Sequence, residues 1–187
     1  MLGNHLIGIY EKAMPPEIEW HERLANAALQ GFDFVELSID ESDERIDRLS
    51  WSARKRGELA SAMENTGVGI RSMCLSAHRR FPLGSGDASV REKAREIAGE
   101  AIRFALEFGI RVIQVAGYDV YYEPSTSQTR AAFLEGLSWF VEEAEKHQVM
   151  LAMEIMDTGF LSSITAYLKI KDAIPSPWLS VYPDIGN

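Results

Sequence analysis

Leu6-Ile7-Gly8-Ile9-Tyr10-Glu11-Lys12-Ala13-Met14-Pro15-Pro16 is the stretch on which the fold turns. It opens as a short apolar run, as a buried strand does, and passes into a polar loop. That loop contains no glycine. A doubly wound α/β sheet usually follows its first strand with a glycine-rich phosphate loop, so this loop favours the other common parallel architecture, a barrel.

The same grammar recurs downstream. Further strand-like runs occupy residues 32–37, 69–75, 111–116, 149–155 and 179–182. Amphipathic stretches separate them. Leu24, Ala27 and Ala28 precede Gly31, placed as a helix stop, and the pattern repeats from Met63 to Gly67 and from Phe104, Ala105 and Phe108 to Gly109. Phe133, Leu137, Phe140, Val141 and Ala144, at spacings of three and four, mark one buried helix face. Strand alternating with helix predicts a parallel α/β sheet of βα units. Polar residues gather just after the runs: Glu11-Lys12, Ser38, Asp40-Glu41, His78-Arg79-Arg80, Tyr118-Asp119, Glu154, Asp157 and Asp184. Barrels place their chemistry at those strand ends. The expectation is an incomplete (β/α)₈ barrel of about six βα units, with residues 1–187 forming a single domain.

Composition narrows the function classes. The net charge of −9 opposes attraction to a phosphate backbone and argues against nucleic acid as a partner. No apolar run approaches the roughly 20 residues that cross a bilayer. Residues 1–5 lack the basic start and apolar stretch of a signal peptide. The single cysteine, Cys74, excludes an internal disulfide framework. These features predict a cytoplasmic protein whose partner is a small molecule. No Gly-x-x-x-x-Gly-Lys loop, His-Glu-x-x-His helix or Gly-x-Ser-x-Gly elbow is present.

Several residues are candidates for chemistry. Glu154 lies in Met153-Glu154-Ile155-Met156-Asp157, and a carboxylate among large apolar residues costs several kcal/mol unless something compensates its desolvation. A divalent metal would do so; so would solvent or an arginine. Asp184, after the next run, is either a second oxygen ligand facing the same cavity or a turn former before Gly186. Residues 76–85, with His78, Arg79 and Arg80 followed by a Gly/Ser loop, suit a phosphate or sugar hydroxyls, or form a solvated basic loop. Lys12 and Glu36 could reach a ligand, or be a surface lysine and a paired glutamate. Cys74, between Met73 and Leu75, is expected in the core.

Residues 8–13, 31–36, 116–122 and 152–157, with Met73-Cys74-Leu75-Ser76-Ala77-His78-Arg79-Arg80-Phe81-Pro82-Leu83-Gly84-Ser85 and Tyr182-Pro183-Asp184-Ile185-Gly186-Asn187, closely resemble the bacterial L-ribulose-5-phosphate 3-epimerases. The likeness runs in order along essentially the whole chain. It implies a xylose-isomerase-like barrel, a sugar-phosphate substrate, and interconversion of L-ribulose 5-phosphate and L-xylulose 5-phosphate in L-ascorbate-type catabolism. It implies a divalent metal ion (Zn, Mn or Mg) held by Glu, Asp, His and Glu. Glu154 matches the first ligand, with a catalytic role as well, and Asp184 matches the second. The histidine and last glutamate belong to later strands, so the chain is expected to be C-terminally truncated relative to the family. Lys12, His78 and Arg79 are the candidates for binding substrate. Truncation suggests the alternative of an inactive remnant that at most binds metal or sugar phosphate. It also suggests a homo-oligomer formed through exposed barrel edges. The superfamily's endonucleases offer a third reading, which the acidic charge disfavours.

Overall fold

The structure is a computed structural model that describes residues 5–186. Residues 1–4, on which part of the signal-peptide reading rests, and Asn187 of the last quoted motif lie outside the described residues.

Among the described residues six strands form one sheet: β1 (Gly8–Tyr10), β2 (Phe34–Ile39), β3 (Gly69–Leu75), β4 (Val112–Val115), β5 (Met150–Glu154) and β6 (Leu179–Tyr182). Every pairing is parallel and the spatial order equals the sequence order. A doubly wound sheet reverses direction at a switch point; this one never does, as a barrel requires. Crossovers run through α1 (Trp20–Leu29), the short α2 (Asp43–Ile46) with α3 (Ala53–Thr66), α4 (Ala88–Phe108), α5 (Ser127–Lys146) and α6 (Ile164–Ala173). Within the described residues β1 and β6 each pair on one side only.

The helix stops fall where expected. Gly67 and Gly109 cap α3 and α4 in the left-handed region, at φ of 70° and 69°. A residue with a Cβ is strained in that conformation. Helix starts use side-chain oxygens: Ser52, Asp87 and Ser163 accept from the first turn, and Thr126 forms a reciprocal pair with Thr129.

Strand alternation separates two environments. Leu37, Ile39, Ile70, Ile113, Leu151 and Leu179 are buried against the helices, where Ile97, Ala101, Phe104 and the predicted α5 face of Phe133, Leu137, Phe140, Val141 and Ala144 meet them. The opposite parity carries Tyr10, Glu36, Cys74, Gln114, Glu154 and Tyr182, all lining one cavity. Barrel interiors are normally filled by bulky branched residues; this one is polar. The fold therefore puts a hydrophilic chamber at the centre of the sheet.

Candidate active site

The chamber has a volume of about 770 Å³ and opens at the carboxyl ends of the strands. That is within the range of small-molecule sites. A larger hollow of about 1220 Å³ lies on the outside between α1, α2 and α3. Its indoles are already covered by cations: Arg23 and Arg48 over Trp20, Arg48 and Lys55 over Trp51. None of the six strands contributes to its lining, so the chemistry is assigned to the chamber.

Each strand end delivers a polar group. From β5 and β6 come Glu154 and Asp184, which line the same cavity. Glu154 is in register with Tyr182, two residues before Asp184. Beyond β1, Lys12 forms an ion pair with Asp40, which follows β2. Burial pushes the Asp40 carboxyl up, but the Lys12 ammonium and the Ser42 hydroxyl and amide outweigh it and hold the group at about 2. Arg79 enters the lining from the turn after β3. Its guanidinium lies 4.6 Å from the Tyr121 ring centroid and 3.8 Å from Glu41. Lys12 and Arg79 therefore put two cations at the rim above a carboxylate-bearing interior.

Other strand-end residues turn away from the chamber. His78, expected to bind substrate, is buried, its Nε2 3.1 Å from the Ala94 carbonyl and its ring edge-on to Phe140. Burial pulls its imidazole down to about 4, so it is neutral at physiological pH. The expected role does not fit this placement, because the side chain belongs to the sheet–helix core. Arg80 is taken up by Asp43 at 2.6 Å and stacks on Phe81. The Gly/Ser loop is occupied by an internal anion: Glu123 accepts from the Ser85 hydroxyl at 2.6 Å and from the Gly86 N–H at 3.0 Å. Of residues 76–85, Ser76 and Arg79 reach the cavity lining, and of the three basic side chains only Arg79 does. Glu11 is fully buried in a tight turn and braces the scaffold, as does Asp119, which accepts from Ser125 and Thr129.

Residues not singled out by sequence reasoning also face the chamber. Tyr10, whose hydroxyl donates to Ser38 at 3.0 Å, Gln114 and Tyr182 all line it. Cys74 is half-buried at the cavity wall rather than enclosed in the core. Burial pushes its thiol up to about 11, so it is not a nucleophile at neutral pH. The signal that could have found these residues is strand parity: Gln114 is polar between the apolar Ile113 and Val115.

Glu36 is the most unusual lining group. Burial pushes its carboxyl up, and the Ser72 hydroxyl, donating to Oε2 at 2.7 Å, only partly offsets that. The folded state then holds the Glu36 proton more tightly than the unfolded chain, so the ionised side chain destabilises the fold at high pH. That cost vanishes as pH falls below the ordinary value of 4.5. Glu36→Gln should raise the melting temperature at pH 8, because the amide carries no charge to desolvate. Calorimetric scans at pH 8 and pH 4 check this, and the gain should be absent at pH 4.

Comparison with known proteins agrees with this architecture. The family model described as xylose isomerase-like TIM barrel matches residues 24–187. A protein of Escherichia coli strain K12, provisionally named L-ribulose-5-phosphate 3-epimerase SgbU, is 60% identical over 186 residues, 100% of this chain and 65% of that protein. L-ribulose-5-phosphate 3-epimerase UlaE of the same strain is 54% identical over 181 residues, 97% of this chain and 64% of its own length. The chain thus spans just under two thirds of these curated relatives. Among solved structures, a D-psicose 3-epimerase crystallised in the presence of D-fructose superposes with a TM-score of 0.81 at 16% identity, over 96% of this chain and 63% of that one. The parallel six-strand order, the polar chamber at the strand ends and the family match agree: the chain belongs to the xylose isomerase-like TIM barrel family.

Proposed function

We propose that the protein is a sugar-phosphate 3-epimerase that interconverts L-ribulose 5-phosphate and L-xylulose 5-phosphate, with Glu154 as a proton-transferring carboxylate. The carrying observation is that Glu154 and Asp184, from adjacent strand ends, line one cavity whose rim holds Lys12 and Arg79. Support for this substrate comes from the names of the relatives at 54–60% identity.

The donor chemistry fits part of a divalent-cation site. Glu154 and Asp184 are hard oxygen donors facing a common space, the type that Mg²⁺ and Mn²⁺ prefer and Zn²⁺ accepts. When bound, such a cation supplies Lewis-acid stabilisation of the charge that develops on the sugar's oxygens. The chain's own residues then have distinct tasks. The proton on C3 is acidic because it neighbours the C2 ketone; Glu154 removes or returns it from one face of the planar intermediate, and inversion needs a second acid–base group on the opposite face. Lys12 and Arg79 hold the phosphate by charge-assisted hydrogen bonds, Arg79 kept in place by Tyr121 and Glu41. The polar walls orient the hydroxyls.

A second reading is that the chain at most binds the cation or the sugar phosphate, without inversion. It is favoured by one observation: among the described residues no group of three or more His, Cys, Asp or Glu side chains is arranged to hold a metal. One pair of measurements tests both. Mn²⁺ titration should show binding that Glu154→Gln or Asp184→Asn weakens at least tenfold. Proton NMR of L-ribulose 5-phosphate in D₂O should show loss of the C3 proton signal, abolished in Glu154→Gln. Exchange with formation of the xylulose epimer supports the epimerase, binding without exchange supports the second reading, and neither binding nor exchange excludes both.

A further inference from the structure

The ladder between β2 and β3 carries one irregularity, and it falls at the chamber. Val35 is paired with Ile70, but Glu36 is paired with Ser72, so Arg71 is passed over. An unbroken register would set Arg71 opposite Glu36 and supply a neutralising cation. The bulge instead leaves Arg71 exposed and delivers the Ser72 hydroxyl to Glu36 Oε2 at 2.7 Å. Bulges beside functional sites re-aim side chains in this way.

The result is a carboxyl with no structural return on its burial. Glu36 lines the chamber, its register neighbours are Tyr10 and Ser72, its carboxyl accepts from the Ser72 hydroxyl, and among the described residues it forms no ion pair with a Lys or Arg. A polar group so placed costs stability unless a ligand completes its hydrogen bonding. Its depth indicates which part of a ligand that is. Glu36 lies within β2, four residues before Asp40, the partner of Lys12 at the rim. An ionised carboxylate repels a phosphate dianion, whereas a sugar hydroxyl can bond to the group in either protonation state.

We infer that Glu36, seated by Ser72 across the bulge, is a substrate-contacting residue that binds a hydroxyl of the sugar portion of the ligand. The inference rests on the sugar-phosphate reading of the cavity and adds to it the group that distinguishes the polyol from its phosphate.

Calorimetric titration of the 187-residue protein with L-ribulose 5-phosphate and, separately, inorganic phosphate tests it. Glu36→Ala should weaken L-ribulose 5-phosphate at least tenfold and leave inorganic phosphate within twofold. Glu36→Gln, which keeps a hydrogen-bonding head of the same shape, should stay within about threefold for both. Lys12→Ala should weaken both ligands together. Equal weakening of both ligands by Glu36→Ala would mark a structural role and overturn the inference, as would unchanged sugar-phosphate binding. Should the unaltered protein bind L-ribulose 5-phosphate no better than inorganic phosphate, the sugar-phosphate reading fails and takes this inference with it.

Discussion

Glu11→Ala lowers the unfolding free energy by about 3–5 kcal/mol, the cost of removing one partner from a buried ion cluster. Urea denaturation at neutral pH is the measurement. Glu11 has no exposed surface. Its carboxylate accepts from the Ser38 N–H at 2.9 Å and from Arg48 at 2.9 and 2.8 Å, and it is paired with Arg45. Arg48 is itself enclosed between Trp20 and Trp51. Truncation would leave the buried Arg48 guanidinium and the Ser38 N–H without this carboxylate, and Arg45 with Asp40, 3.4 Å away, as its remaining anion. The backbone of the same turn is held from beneath: buried Arg23 donates to the carbonyls of Glu11, Pro15, Pro16 and Ile18 at 2.9–3.2 Å. Replacing both ends of the cluster, Glu11→Leu with Arg48→Met, should cost less than Glu11→Ala alone, because no unpaired charge then remains at the Arg48 position. A loss under 1 kcal/mol in Glu11→Ala would show that the cluster is solvated. The adjoining residue is Lys12, so this cluster also fixes where a rim cation sits.

Gly117→Ala should destabilise the protein by about 1–3 kcal/mol, as overpacking does, and weaken Mn²⁺ binding at least tenfold. A Cβ at position 117 would come within 2.2 Å of the Glu154 carbonyl oxygen and 3.0 Å of the Leu161 side chain. The first of these is backbone at the end of β5 and cannot swing aside as a side chain would. Neighbouring bonds tie the two segments further: Thr158 Oγ1 donates to the Gly117 carbonyl at 2.9 Å, and the Gly117 N–H to Met156 Sδ at 3.3 Å. Relief must therefore come from moving the strand end that carries Glu154. Gly57→Ala is the matched control. Gly57 is exposed in α3 with nothing within 4 Å of an added Cβ, so that change should stabilise by about 0.4–1 kcal/mol and leave Mn²⁺ binding unaltered. Unchanged cation affinity in Gly117→Ala would separate the two strand ends functionally.

These two positions illustrate why the site was only partly legible from sequence. Glu11 and Glu154 look alike along the chain: each is a carboxylate at the end of an apolar run. One is consumed by arginines 34 and 37 residues away, while the other lines the chamber. His78 and Arg79 are adjacent, yet one packs on Phe140 and the other reaches the rim. The Gly/Ser loop has the composition of an anion-binding loop, and its anion is Glu123, 38 residues downstream of Ser85.

Local chemistry decided the element plan without help from tertiary contacts. Short apolar runs, helix faces at spacings of three and four, and glycines able to take positive φ specify strand, helix and stop within a few residues of chain, and their alternation specifies the parallel order. Which strand-end side chains face the chamber was settled by the fold alone. At a strand end the pleat no longer dictates direction, and a charged group turns toward whichever buried partner or open space compensates its desolvation best. Those partners come from distant segments that meet only after the sheet has assembled. The bulge that puts Ser72 rather than Arg71 beside Glu36 belongs to the same class, since register is a property of two strands and not of either sequence alone.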